Sequence, residues 1–208
     1  VNIQDITENA ALKILGDRND LEVAVVVMDT TGAIRAMLGG KSYSKSQFNR
    51  ATQSLRQTGS VFKLFTYLTA IDLGFKVIDQ IEDLPLELDG WKPKNYNKKY
   101  AGSITLEESF AISSNVAAIR LQEMVGRLNI IEWAKKFGIS SKLKPERSLS
   151  LGTQSISLIE MTNAYAAIAS GGIVPFIYGV KEITDRNNEV IYTRNTSNRA
   201  ASINKNVV

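Results

Sequence analysis

The sequence predicts an α+β fold, with a mostly helical middle and sheet strands near both ends. Three observations predict it: two short apolar runs joined by a tight turn near the start, several capped helical patterns through the centre, and a return of strand character after Gly172.

Residues 22 to 28 (EVAVVVM) and 33 to 38 (AIRAML) flank Asp29-Thr30-Thr31-Gly32, a polar turn whose glycine suits φ > 0, and two antiparallel strands are expected there. The polar stretch GGKSYSKSQFNRATQSLRQTG shows no clear periodicity and ends at Ser60. VFKLFTYLTAIDLG then takes up helical spacing, with Gly74 placed to stop the helix. Residues 75 to 104 read as a long irregular loop with some structure of its own, containing Pro85, Gly90, Trp91, Pro93, Asn95 and a KKYAGS turn. Thr105 and Glu108 have capping-box spacing before a helical pattern. A second pattern runs from about Asn115 to Gly126 on Val116, Ile119, Leu121 and Met124. RLNIIEWAKKFG gives a further helix closed by Gly138, and Ser157 with Glu160 repeats the capping box ahead of a helix ended by Gly171-Gly172. VPFIYGVKEIT and EVIYT read as strands split by Asp185-Arg186-Asn187-Asn188, placed to share one sheet with the first pair. The final stretch, NTSNRAASINKNVV, is polar and expected to fray unless more chain follows it.

A chain of 208 residues with 44% hydrophobic content holds one domain, 1–208, with a substantial core. No apolar run approaches the roughly 20 residues that span a bilayer, and the opening VNIQDITENA has no signal-peptide character but reads as mid-protein sequence. The formal charge of +4 comes from scattered basic residues without a nucleic-acid-binding motif, so they read as solvated surface and no nucleic-acid partner is expected. The chain has no cysteine, which excludes disulfides, thiol catalysis and zinc-thiolate sites. It also has no histidine, which excludes Ser-His-Asp triads, Cys-His pairs and HExxH metal sites. A base for hydrolysis or transfer must then be Lys, Asp, Glu or Tyr.

S-x-x-K meets that requirement physically. A serine opening a helix has the lysine three residues on along the same face, close enough to take the hydroxyl proton if burial lowers the lysine pKa. Four copies occur: Ser42/Lys45, Ser60/Lys63, Ser141/Lys144 and Ser202/Lys205. Only Ser60 follows a glycine and precedes an apolar helical pattern, with Val61, Phe62, Leu64 and Phe65 able to wall in Lys63. Spacing alone leaves a second reading open, a helix N-terminal serine with a snorkelling lysine. Ser113-Ser114-Asn115, 53 residues after Ser60, adds a hydroxyl and an amide at the junction of two helical segments; Ser202-Ile203-Asn204 is its rival. S-x-x-K with an S-D-N-type triplet and K-T-G forms the signature of penicillin-binding proteins and class A β-lactamases.

Beyond these motifs, GGKSYSKSQFNRATQSLRQTGSVFKLFTYLTAIDLG resembles the segment around the nucleophile in transpeptidase domains of bifunctional, class A penicillin-binding proteins. WKPKNY, YAGSITLEESFAISSNVAAIRL and LSLGTQSISLIEMTNAYAAIASGG extend the resemblance over about residues 20 to 192. Thr58 and Leu64 depart from it, standing where the family usually has proline. The resemblance implies the penicillin-binding protein and serine β-lactamase-like fold, peptidoglycan D,D-transpeptidase activity, and neither cofactor nor metal. It also implies that Ser60 attacks the D-Ala-D-Ala end of a stem peptide, with Lys63 as base, Ser113 as proton relay to the leaving D-alanine and Asn115 as a substrate contact. The implied partners are peptidoglycan stem peptides and β-lactam antibiotics. The implied parent is membrane-anchored, with an upstream glycosyltransferase domain, at the periplasmic face of the bacterial cytoplasmic membrane.

No K-T-G or K-S-G triplet occurs; Lys41-Ser42-Tyr43 lacks the glycine and precedes Ser60. In the family that triplet lies on a later sheet strand that supplies an oxyanion-hole donor, and losing one such donor costs roughly a hundred- to a thousandfold in rate. The expectation is a domain truncated before K-T-G, lacking the C-terminal part of the sheet, with weak or no acylation. Two rival functions stay open on the sequence. A serine β-lactamase needs a carboxylate-activated water, yet Glu146 is followed by Arg-Ser-Leu-Ser and not by the class A pattern E-x-x-L-N. A non-catalytic binding or scaffold fragment would keep the fold and leave a sheet edge exposed.

Overall fold

A computed structural model of the chain describes residues 2–18, 20–194, 203 and 207. The chain opens with a helix the sequence pattern did not announce, α1 (Ile3–Leu15), capped by the Asn2 side chain accepting from Gln4 N. It buries no residue deeply. Its Gln4 amide acts as an extra strand residue, accepting from Met37 N at 2.8 Å and donating to Met37 O at 3.0 Å. Those bonds cover one edge of the first hairpin.

That hairpin is where it was expected. β1 (Val25–Met28) and β2 (Ile34–Leu38) pair antiparallel with Val25 opposite Leu38. Asp29 closes its turn, accepting from Thr31 N at 2.9 Å, Ala33 N at 3.1 Å and Arg35 Nε at 2.8 Å. Slight burial pushes the Asp29 carboxyl up, but hydrogen bonds from Thr31, Arg35 and Ala33 reverse this and hold it at about 2.

The central elements gather around one helix. β3 (Leu55–Gln57) leads into a 3₁₀ turn, Gly59–Phe62, and directly into α2 (Lys63–Asp72). Seven of the ten α2 residues are buried, including Lys63, Phe65, Leu68 and Ala70, so α2 is enclosed on nearly every side. Around it pack α4 (Asn115–Val125) and α5 (Arg127–Lys136), with Phe65 and Phe137 ring centroids 6.0 Å apart. Of the four apolar positions read into α4, Val116, Ile119 and Leu121 are buried, whereas Met124 is exposed and Gln122 is buried instead.

Residues 75 to 104, expected as a long loop with some structure of its own, carry a strand pair, β4 (Gln80–Asp83) and β5 (Gly102–Thr105), with Asp83 opposite Gly102. β5 runs straight into α3 (Leu106–Ala111) through the expected Thr105/Glu108 capping box. β3 pairs with β6 (Ser155–Ser157), Leu55 opposite Ser157, a contact between distant stretches that no local pattern signals. β6 continues into α6 (Leu158–Ala169) through the Ser157/Glu160 capping box.

The tail corrects one expectation. β7 (Glu182–Thr184) and β8 (Val190–Thr193) form their own two-stranded sheet and do not join the first hairpin in a shared ladder among the described residues. The link is a single parallel bridge, with Ile34 N donating to Tyr178 O at 2.9 Å and Tyr178 N to Gly32 O at 3.0 Å. Pro175, without an N–H, precedes this point, and a Cβ on Gly32 would lie 2.9 Å from its ring. Among the described residues, the stretch read as one strand from Val174 therefore makes its backbone bridge to the hairpin at Tyr178 alone.

Glu160 ties α6 to the segment after α5. Its carboxylate accepts from the backbone N–H of Ser140, Ser141 and Ser157 and from all three hydroxyls, at 2.7–3.1 Å. Partial burial pushes the carboxyl up, and the hydrogen bonds from Ser141, Ser157 and Ser140 outweigh it, leaving about 2 against an ordinary 4.5. A depressed carboxyl pKa contributes stability above pH 4.5 that fades as pH falls toward 2. Glu160→Gln is expected to lower unfolding free energy by about 2 kcal/mol at pH 7. The difference should shrink at pH 3 in urea denaturation; equal losses at both pH values would contradict this account.

Candidate active site

Ser60 lies in the 3₁₀ turn that opens α2, and the Lys63 N–H donates to Ser60 O. In a 3₁₀ turn residues i and i+3 lie above one another, so Ser60 and Lys63 project on the same side. Their environments are opposite: Ser60 is exposed, whereas Lys63 is 1% exposed. Lys63 Nζ donates to Ser113 O at 2.6 Å, Ser113 Oγ at 3.0 Å and Asn115 Oδ1 at 2.7 Å. An ammonium has three N–H donors, and these three oxygens take all of them. Among the described residues no carboxylate is within salt-bridge reach, and burial pulls the Lys63 pKa from 10.5 down to about 8. No hydrogen bond joins Ser60 Oγ to Lys63, and the serine hydroxyl has no hydrogen-bond partner among the described residues.

Ser113 owes its position to how α3 ends. Ser113 N donates to Phe110 O and Ser114 N to Ser109 O, both at 3.0 Å, with Ser113 at φ 55, which is a Schellman cap. Helices α2, α5 and α6 end with the same bond pattern, and there the left-handed residue is Gly74, Gly138 and Gly171. A residue with a side chain in that conformation costs roughly 1–2 kcal/mol. Local backbone energetics would select glycine at 113, so the serine is accounted for by its hydroxyl and its contact with Lys63.

Asn115 is the first residue of α4. Its Nδ2 donates to Lys94 O at 3.0 Å, so both ends of the amide are committed, with one N–H left to offer. Behind it lies a buried polar cluster that the sequence reading did not mark as part of the site. Ser114 Oγ donates to Asp83 Oδ1 at 2.8 Å, Asn95 Nδ2 donates to the same oxygen at 2.7 Å, and Asn95 Oδ1 accepts from Asn115 N at 2.8 Å. Asn95 lies within WKPKNY and Asp83 at the end of a short strand, and neither position carries a periodic or spacing signal of its own.

Two concavities flank the site. One of about 270 Å³ opens beside Ser113, between Asn95–Ala101 and Ile112–Ser114. A larger groove of about 790 Å³ runs past the serine turn, lined by Val23, Phe48, Arg56, Thr58, Val61 and Leu158. Of the other S-x-x-K copies, Lys45 and Lys144 are exposed and Ser141 is engaged with Glu160. Ser202/Lys205 and two members of Ser202-Ile203-Asn204 lie outside the described residues.

Residues 23–208 match the family model described as the penicillin-binding protein transpeptidase domain. The chain belongs to that family. It is 38% identical over 199 residues to penicillin-binding protein 1A of Rickettsia conorii, covering 92% of this chain and 25% of the relative. Among solved structures it resembles penicillin-binding protein 1A of Haemophilus influenzae, with TM-score 0.79 and 34% identity over 84% of this chain and 27% of that one. PonA1 of Mycobacterium tuberculosis, solved in complex with penicillin V, aligns with TM-score 0.86 and 27% identity over 98% of this chain and 58% of that one. The chain thus spans about a quarter of the length of the curated relatives it matches.

Within this transpeptidase-family chain, the departures at Thr58 and Leu64 are mild. Thr58 has φ −80, close to what proline fixes, and its hydroxyl is buried without a partner among the described residues. Leu64 packs against the core. A stricter requirement falls on Gly152, which the sequence reading quoted only inside a longer stretch. Gly59 N donates to Gly152 O at 3.1 Å, and a Cβ on Gly152 would run into the Gly59 backbone N, C and O. Gly152 also has φ 67, so any side chain is strained there. Gly152→Ala is expected to cost on the order of 3 kcal/mol in chemical denaturation by displacing the turn that carries Ser60. A loss below about 1 kcal/mol would show that the turn can move aside freely.

Proposed function

We propose that the chain is the nucleophile-bearing part of a peptidoglycan D,D-transpeptidase, with 1–208 forming the N-terminal and central portion of one transpeptidase domain. The observation that carries the reading is a lysine 1% exposed, one turn from an exposed serine, with a pKa lowered to about 8 and held by Ser113 and Asn115. Near neutral pH a useful fraction of such a lysine is an uncharged amine that can accept a proton.

In this reading Ser60 Oγ attacks the carbonyl of the penultimate D-alanine of a stem peptide, and its proton passes to Lys63 Nζ. The C–N bond breaks, and the proton travels by way of Ser113 Oγ to the nitrogen of the departing D-alanine. Ser60 is left as an ester. The amine of a second stem peptide attacks that ester and forms the cross-link, and a proton from its own nitrogen restores the Ser60 hydroxyl. In the same reading, the remaining N–H of Asn115 contacts the substrate backbone. A β-lactam acylates Ser60 by the same attack, with the ring nitrogen as a leaving group that stays attached. The PonA1 complex with penicillin V supports this extension.

The relatives support a wider setting as part of the proposal: a longer, membrane-anchored parent with an upstream glycosyltransferase domain, acting on the periplasmic side of the cytoplasmic membrane. No helix among the described residues is long and apolar enough to cross a membrane.

Fluorescent penicillin followed by peptide mass spectrometry tests the reading. A β-lactam adduct is expected on the peptide containing Ser60, absent in Ser60→Ala and formed at least about a hundredfold more slowly in Lys63→Ala. Because no K-T-G or K-S-G triplet occurs in the 208 residues, labelling of this chain alone is expected to run roughly a hundred- to a thousandfold below that of a protein carrying the triplet. An adduct elsewhere, or one that persists in Ser60→Ala, would overturn the assignment of the nucleophile.

A further inference from the structure

One buried acid takes no part in the chemistry above. Asp83, at the end of β4, is 1% exposed and has no lysine or arginine partner among the described residues. Its negative charge is nonetheless felt nearby: burial pushes the Tyr67 hydroxyl up to about 12, its hydrogen bond with Ser109 opposes that, and Asp83 adds to the rise. Three donors meet its carboxylate, Asn95 Nδ2 at 2.7 Å and Ser114 Oγ at 2.8 Å on Oδ1, and Ala101 N at 2.9 Å on Oδ2.

These bonds decide how two neighbours face. Asn95 directs Nδ2 to Asp83 and Lys99 O, so its Oδ1 turns to Asn115 N at 2.8 Å and Val116 N at 3.2 Å. Ser114 gives its hydroxyl hydrogen to Asp83 and accepts from Ala117 N at 3.0 Å. The first three N–H groups of α4 are therefore satisfied by side chains that Asp83 orients, in front of a helix end that favours negative charge. Ser113 and Asn115 stand on either side of Ser114, and every hydrogen-bond acceptor of Lys63 Nζ belongs to one of them.

We propose that Asp83 is a positioning residue for Lys63: acting through Asn95 and Ser114, it fixes the start of α4 and the left-handed Ser113, and so holds in place the three oxygens that receive the Lys63 amine. The proposal rests on the reading of Lys63 as the base. An asparagine at 83 keeps the shape, but its NH₂ would turn toward one of three donors that now find an oxygen.

The test reads Lys63 directly. The chain is prepared with ¹³C,¹⁵N-lysine, the Lys63 signal is assigned by its loss in Lys63→Met, and its titration is followed by NMR. The expected midpoint in the parent is about 8. In Asp83→Asn the oxygens that receive the amine are no longer held in place, and their loss disfavours the ammonium. The midpoint is expected to fall by about half a pH unit or more, roughly a threefold loss of proton affinity. Ser114→Ala keeps the carboxylate and cuts one link; it is expected to shift the midpoint the same way by less, and it decides the matter if Asp83→Asn does not fold. Glu160→Gln, destabilised elsewhere, should leave the Lys63 midpoint alone. An unmoved midpoint in folded Asp83→Asn, or in Ser114→Ala, overturns the proposal. A parent midpoint near 10.5 would instead overturn the reading of Lys63 as the base.

Discussion

The burial of one amine in the middle of the helical core is the constraint on which this structure depends. Holding Lys63 in surroundings that lower its pKa from 10.5 to about 8 costs on the order of 3 kcal/mol at neutral pH. The fold offsets this with the apolar packing of the same segment. Phe62 and Phe65, both fully buried and in edge contact at 5.0 Å, each contribute roughly 2–3 kcal/mol. Lys45 and Lys144, at the same spacing, are exposed and have no such enclosure.

Once Lys63 is buried, the surrounding architecture follows from where its three donors go. They go to the junction of α3 and α4, where a residue with a side chain takes the left-handed cap that three other helices give to glycine. From the other side, Thr66 of α2 bonds to Ser150 Oγ at 2.7 Å, and Ser150 Oγ donates to Gln122 of α4 at 2.8 Å. Two residues after Ser150, Gly152 lies against Gly59 and fixes the backbone of the serine turn. Ser60 is thus exposed on a turn held by Gly152, while Lys63 and its helix are supported from two directions by hydrogen bonds.

What could be read from the sequence was what is encoded locally. The Thr105/Glu108 and Ser157/Glu160 capping boxes, the glycine helix stops and the first hairpin all rest on contacts between residues a few positions apart, and all are present. That Lys63 would be walled in by its apolar flank one turn from Ser60 was legible for the same reason, since both features lie within one turn of chain. Strands β3 and β6 were not, because each is three residues long and finds its partner about half a chain length away. Asp83 and Asn95 escaped for a related reason: their role arises only when an irregular stretch is folded against the start of α4. Helix α1 lacked the buried apolar face by which a helix is recognised, and its contribution is a glutamine paired with the edge of β2. The shared terminal sheet failed because composition near Val174 resembled a strand while Pro175 limited how it could pair.

The account's central claim is that uncharged Lys63 takes the proton of Ser60. Its most direct measurement is the pH dependence of the second-order rate of Ser60 acylation by a penicillin, taken between pH 6 and 10 under conditions where the chain stays folded. The amine acts only when deprotonated, so the rate should rise about tenfold per pH unit at low pH and level off above a midpoint of about 8. A rate that is flat from pH 6 to 8, or that still rises about tenfold per unit up to pH 10 as an ordinary lysine would require, would contradict it.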